Sequence, residues 1–215
     1  LFDSEISFGV DAFNEDQDYI SFDAQSTGGG FRLGKNLSEY DSINFKYRLA
    51  NVETSGVDAS DETEFFKNGT RLTSRIAPTY VYDSRDNFLN PSSGWRHVVG
   101  FELAGLGGTK FTKHFYEVTY YHPLVGKLVA AAHARINYAD GYGNDKLPAF
   151  ERFFMGGPTS LRGFNIGDVG PKNDDDDPIG GNQSLLFNLE VQYPFTKSFR
   201  GFVFYDRGNI YGGGF

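Results

Sequence analysis

Few residues in this chain could do chemistry, and most of them are single charges. Arg162 stands alone in GGPTSLRGF, residues 156–164, a fixed positive charge with five hydrogen-bond donors on a glycine-rich stretch. Glu190 in LEVQYPF and Asp206 in FVFYDRGN follow it with carboxylates. A guanidinium pairs best with carboxylates through forked hydrogen bonds, so this trio suits docking of a loop against a wall rather than bond breaking. An arginine left in water on an open loop is the alternative. Asp83, Arg85 and Asp86, followed by Pro91 and Gly94, read as a small ion-paired turn with a structural role.

The remaining constellations are weak. Ser160 has no GxSxG elbow around it, and no P-loop lysine follows the glycines. His97, His114, His122 and His133 are spread without metal-ligand spacing, and there is no cysteine. The run Asp174–Asp177 lacks the alternating ligands and distal glutamate of an EF-hand loop and reads as a solvated acidic loop. We therefore expect no catalytic residue, no metal and no cofactor, and do not expect an enzyme.

The elements that carry these residues announce themselves by a period of two. Ile6, Phe8, Val10 and Ala12 alternate with polar neighbours, as do Ile43, Phe45, Tyr47 and Leu49. In KLVAAAHARINY the apolar positions run from Leu128 to Tyr138 opposite Lys127, His133, Arg135 and Asn137; Leu185, Phe187, Leu189, Val191 and Tyr193 lie opposite Asn188, Glu190 and Gln192. Strict alternation predicts strands with one apolar and one polar face. Nine are expected, at 3–13, 18–36, 41–53, 69–84, 94–107, 112–122, 125–139, 183–194 and 198–210. The apolar parity of the second slips at Gly28-Gly29-Gly30, which predicts a bulge or sharp bend. In the last, Phe202 and Phe204 alternate with Val203 and Tyr205, so its faces are unresolved.

Alternation alone fits a soluble sandwich as well as a barrel. The connections favour the barrel. If strands run up and down, the short turns at 37–40, 85–93, 123–124 and 195–197 share one end. The segments 14–17, 54–68, 108–111 and 140–182 share the other, including the acidic VDASDETEFF and NDDDDPIGG. Short turns at one end and long polar loops at the other are the habit of outer-membrane barrels. Aromatics at 17%, mostly 22 Phe and 13 Tyr, suit interfacial girdles, with Trp95, Tyr82, Tyr121 and Tyr193 near strand ends. A net charge of −8 argues against nucleic acid as a partner. The connection of some forty residues at 140–182 is long enough to expect a function for it. The abrupt ends, Leu1 and GGGF, suggest a piece of a longer polypeptide.

Longer blocks carry a family likeness. PAFERFFMGGPTSLRGF (148–164) resembles the signature of the outer-membrane protein assembly barrels, BamA and its relatives. YDSRDNFLNPSSGWR (82–96), STGGGFRLGKNLSEY (26–40), GGNQSLLFNLEVQYPF (180–195) and FVFYDRGNIY (202–211) resemble further family blocks in order and spacing. The resemblance implies an all-β, antiparallel, up-and-down transmembrane β-barrel, here partial, with about nine of an expected sixteen strands. Residues 1–215 would then form one incomplete barrel domain, its strands the fifth to thirteenth, without the soluble POTRA domains. The segment 140–182 would be the sixth extracellular loop, folded into the lumen, with Arg162, Gly163 and Phe164 as its motif. Glu190 and Asp206 would be the wall partners of Arg162, and Phe202 and Phe204 would point inward.

The same resemblance implies assembly and insertion of β-barrel proteins into the outer membrane of a Gram-negative bacterium. Unfolded outer-membrane proteins would be the clients, with accessory lipoproteins and the lipid bilayer as the other partners. A secretion or autotransporter-assembly barrel of the same superfamily is the near alternative. A passive porin or a soluble sugar-binding sandwich stands further off.

Overall fold

The computed structural model of the chain describes residues 6–57, 67–196 and 199–212. Nine strands form one sheet: β1 (Ile6–Asp18), β2 (Asp23–Asn36), β3 (Asp41–Ser55), β4 (Gly69–Asp83), β5 (Gly94–Ala104), β6 (Phe111–Pro123), β7 (Val129–Gly141), β8 (Gln183–Pro194) and β9 (Arg200–Tyr211). Their order in the sheet is their order in the chain, and neighbours pair antiparallel throughout. β1 and β9 each have one partner strand, so the sheet is an open arc.

The two faces differ in chemistry because the side-chain period is two. Val10, Phe31, Leu189 and Val191 belong to an outer face whose large apolar side chains stay exposed, Val10 at 72%. A water-soluble sandwich would cover that face with a second layer. Among the described residues there is none: outside the sheet the only helical piece is the short 3-10 turn Ala149–Glu151. The inner face carries the charged residues and is crossed by the segment between β7 and β8. That segment is folded on itself by three isolated bridges, Phe153 with Gly181, Met155 with Val169, and Lys172 with Pro178.

Three small cores hold it there. Ala149 packs with Phe22, Ala24, Ala50, Val52 and Val57 over β2 and β3. Leu147 packs with Ala104, Phe111 and Ala139. Met155 and Leu161 pack with Leu186 and Ile210 on β8 and β9. Small wall residues such as Ala24, Ala50 and Ala139 leave the room that the loop's larger side chains fill.

Several expectations need correction. The first hairpin turns at 19–22, where the Tyr19 N–H donates to the Phe22 carbonyl, and not at 14–17. The polar run NEDQD continues as strand because its side chains bond across the ladder, Thr27 to Asn14 at 2.8 Å and Gln25 to Asp16 at 2.7 Å. No bulge interrupts β2: Gly28, Gly29 and Gly30 pair in register with Phe13, Ala12 and Asp11, and with β3 on the other side. The apparent slip arises because the apolar residues change face. Phe22 and Ala24 are buried under the loop, whereas Phe31 and Leu33 are exposed on the outer face. Tyr121 is likewise not an outer aromatic; it lines an inner cavity together with Arg162. Residues 3–5, 58–66 and 197–198, expected as a strand start, most of the acidic loop and a turn, lie outside the described residues.

Candidate functional site

The stretch from Gly156 to Phe164 closes on itself before it presents Arg162. The Gly157 N–H donates to the Phe164 carbonyl at 3.0 Å. The Ser160 hydroxyl donates to the Gly156 carbonyl at 2.8 Å and accepts from its N–H at 3.0 Å. Leu161 anchors the turn in the Met155–Leu186–Ile210 cluster. Gly163 has a φ of 90°, a left-handed backbone that L side chains rarely adopt, which turns the chain immediately after the arginine. Phe164 is exposed.

Arg162 meets both carboxylates. Its Nε and Nη2 donate to Asp206 Oδ2 and Oδ1 at 2.7 and 2.6 Å, a forked pair, and its backbone N–H adds a third bond to Oδ2 at 3.0 Å. Nη1 donates to Glu190 Oε1 at 2.5 Å. The Asp206 side chain is 3% exposed. Phe202 and Phe204 point inward beneath this group, with the guanidinium carbon 3.8 Å from the Phe204 ring centre and 5.5 Å from that of Phe202. The two-faced aromatic pattern of β9 is thus resolved: the inward rings form a stacking floor for the cation. Hydrogen bonds to Asp206, against the cost of burial and with help from Glu190, raise the Arg162 pKa above its ordinary value.

The wall around this pair is itself wired. The Asn188 amide donates to the Ser160 carbonyl at 3.0 Å and to Asp206 at 2.8 Å, and Gln192 donates to Glu190 at 2.6 Å. Arg200 donates in turn to Gln192. His133 Nδ1 lies 2.8 Å from Asn188 Oδ1, so it carries the proton there. Arg135 and Arg96 bind Glu117 at 2.8 and 3.2 Å on the adjacent strands. Such connected networks fix a unique arrangement because each member left unpaired is costly.

A second anchor, absent from the sequence expectations, has the opposite polarity. Glu151, 5% exposed, projects from the loop toward the wall. It accepts from Arg75 Nη1 at 3.0 Å and pairs with Lys113 Nζ at 2.5 Å, and Arg75 also reaches Glu102 at 3.3 Å. Burial opposes ionisation of Glu151, but the charges of Lys113, Arg75 and Arg48 outweigh it and hold the carboxyl below the usual range. Next to it, Arg152 donates to the Gly212 carbonyl at 2.8 Å, and burial lowers its pKa to about 10. The signal was present in the sequence: a lone acid in AFERFF, among three phenylalanines, requires a buried partner.

The turn group is compact and separate. Arg85 grips Asp83 through Nε and Nη2 at 2.8 and 2.7 Å. Asp86 accepts the Ser92 and Ser93 N–H groups at 2.8 and 3.0 Å across the loop, Pro91 is buried, and Gly94 has a φ of 105°. Despite some desolvation, the bonds from Ser92, Ser93 and Asn87 lower the Asp86 pKa to about 2. The histidines are apart: His97 and His122 contact tyrosine hydroxyls, His114 packs against Phe101 and Tyr138, and only His133 faces inward. Among the described residues no group of three or more His, Cys, Asp or Glu could hold a metal.

The Omp85 superfamily domain matches residues 1–215. The chain belongs to this superfamily. Similar proteins within reach of it include the outer membrane protein assembly factor BamA of Nitratidesulfovibrio vulgaris, 29% identical over 90% of this chain and 25% of that protein. BamA of Neisseria meningitidis is 26% identical over 87% of this chain and 26% of its own length. A sorting and assembly machinery component 50 homolog of Bos taurus is 30% identical over 67% of this chain and 33% of that protein. The crystal structure of BamA from Haemophilus ducreyi lacking POTRA domains 1–3 superposes with a TM-score of 0.84, at 21% identity, covering 96% of this chain and 47% of that one. This Omp85 chain is therefore a partial barrel, spanning a quarter to a third of the curated relatives it matches. Its inner face is the lumenal face and its apolar outer face the lipid-facing one.

Proposed function

We propose that this chain is the loop-bearing part of an outer-membrane barrel that assembles and inserts β-barrel client proteins, without covalent chemistry, nucleotide or cofactor. The observation that carries the reading is the forked docking of Arg162 onto Asp206 and Glu190, which ties the loop to two successive strands. A passive pore would need no such anchor, and the segment across the inner face would obstruct its channel. Bilayer insertion of a barrel is slow because polar loops and unpaired strand edges must cross lipid. A wall braced from inside can hold one strand arrangement while another part of the barrel offers an edge to the client.

The partners on this reading are unfolded outer-membrane proteins, the bilayer and accessory lipoproteins of an assembly complex. The location is the outer membrane, and a Gram-negative bacterium is favoured because bacterial relatives match 87–90% of the chain against 67% for the Bos taurus relative. The test is client folding by the full-length protein containing this chain, reconstituted in liposomes. Arg162→Ala should slow appearance of heat-resistant client several-fold, and Arg162→Lys, which keeps charge but loses the fork, should restore only part of the rate. Wild-type rates for Arg162→Ala would refute the reading.

A further inference from the structure

The short turns carry large apolar tips where water-facing turns ordinarily carry polar ones. Leu37 lies in the β2–β3 turn, Phe88 and Leu89 in β4–β5, Val125 in β6–β7 and Phe199 in β8–β9. All five are exposed, Phe88, Leu89 and Val125 at 77%, 82% and 85%. The Arg85 guanidinium lies 5.2 Å from the Phe88 ring centre and covers only part of it. The other connections also expose apolar residues, Ile20 and Leu106 in the described hairpins and Phe164 and Ile166 in the segment 142–182, but none places two adjacent large side chains as exposed as Phe88 and Leu89.

Just inside these tips runs an aromatic girdle. Tyr40 contacts Tyr82 at 6.2 Å between ring centres, Tyr82 contacts His97, and Trp95 stacks on both His97 and Tyr120, at 5.5 and 4.0 Å. At the far side Tyr193, Phe195 and Phe199 continue it, with ring centres 4.9 and 5.5 Å apart. Such a girdle marks the boundary between hydrocarbon and headgroups, and the turns project just beyond it.

We propose that the short-turn end is a second membrane-contacting rim, in which all four turns seat their apolar tips among the phospholipid headgroups and upper acyl carbons of the adjoining leaflet. Two observations select lipid over a protein partner. The tips occur in every one of the four short turns along the arc, whereas a docking protein would favour one sector. Two of the turns are also continuous with the lipid-facing apolar surface, the β8–β9 turn through Phe199, Phe195 and Tyr193 and the β2–β3 turn through Tyr40 and Tyr82. The inference rests on the transmembrane reading of the outer face.

The experiment places an environment-sensitive fluorophore on single cysteines in a cysteine-free full-length protein, which is practical because this chain has none. Positions 37, 89, 125 and 199 report the turns, position 189 the strand face, and position 174 the acidic loop. The protein is reconstituted in phosphatidylcholine vesicles with nitroxide-labelled lipids of graded depth. The expected result is blue-shifted emission at all four turns, quenched most by shallow nitroxides, with position 189 quenched by deep ones and position 174 by none. Quenching at 189 with water-like emission at the turns overturns the rim alone. Blue-shifted turns that lipid nitroxides fail to quench indicate protein cover and also overturn it. Absence of quenching at 189 instead defeats the transmembrane reading, and the rim with it.

Discussion

Arg162 and Glu151 hold the same loop by opposite charges, and this makes their variants informative. Removing one partner of a buried pair strands the other, a loss of about 3–5 kcal/mol. Arg162→Ala leaves Asp206 and Glu190 without their counter-charge, held by the Asn188 and Gln192 amides; Glu151→Gln takes the carboxylate from Lys113 and leaves Arg75 only Glu102. Each should expose residues 142–182 to added protease while the strands stay protected, with cuts nearer the released anchor. Cleavage unchanged from wild type in both variants would show that the three apolar clusters suffice. The Glu151 anchor also has a defined pH range. Because its folded pKa is depressed, its stabilisation is fully present above the ordinary glutamate value of 4.5 and is lost as pH falls through the lowered one. Loop protection read by hydrogen exchange should therefore be flat from neutral pH to about 4.5 and fall only below it. Release beginning near pH 6 would contradict this. Arg162 contributes no titration of its own, since its pKa is raised from an already high value.

Strands were legible where one face is apolar, because lipid on one side and a charged lumen on the other impose period two. The same logic explains the misplaced first turn. Beyond the apolar band β1 and β2 continue with polar groups on both faces, so composition imitates a turn while the ladder persists. β9 was ambiguous because its inward aromatics serve a cation rather than a core, and Glu151 went unrecognised because its partners come from β4 and β6, which no local pattern links to residue 151. Gly28 shows how closely the strands approach. A Cβ there would lie 2.1 Å from the Leu49 carbonyl oxygen and 2.8 Å from the Ala50 Cα, both backbone atoms that cannot swing aside. Gly28→Ala should cost roughly 1–3 kcal/mol, the range for overpacking. At Gly29 the nearest atom is Asp11 O at 3.1 Å, so Gly29→Ala should cost less. Urea midpoints of the reconstituted protein give the order, and equal shifts at the two positions would disprove the close-approach account.

The sheet as a whole has a parity problem that determines what it can do alone. Nine strands alternate in direction, so β1 and β9 run the same way, and joining them would require a parallel seam, which pairs slightly less favourably. Eight strands already enclose an interior only wide enough for side chains, and nine give little more, yet the segment 142–182 occupies this inner face. Self-closure would have to expel it, breaking the bonds of Arg162 and Glu151. Leaving the arc open in lipid is no better, because each unpaired N–H or C=O along β1 and β9 costs several kcal/mol. The remaining route is an odd number of further strands, which restores antiparallel closure and widens the lumen. The seven that the family's sixteen would supply meet both demands. The isolated 215-residue chain, refolded into detergent or vesicles, should therefore give no heat-resistant monomer on semi-native gels and should associate through its edges. The same residues within the full-length protein should run as a compact, heat-modifiable species. A heat-resistant monomer of the isolated chain, with β1 and β9 amides protected from exchange and the loop still docked, would overturn the closure argument.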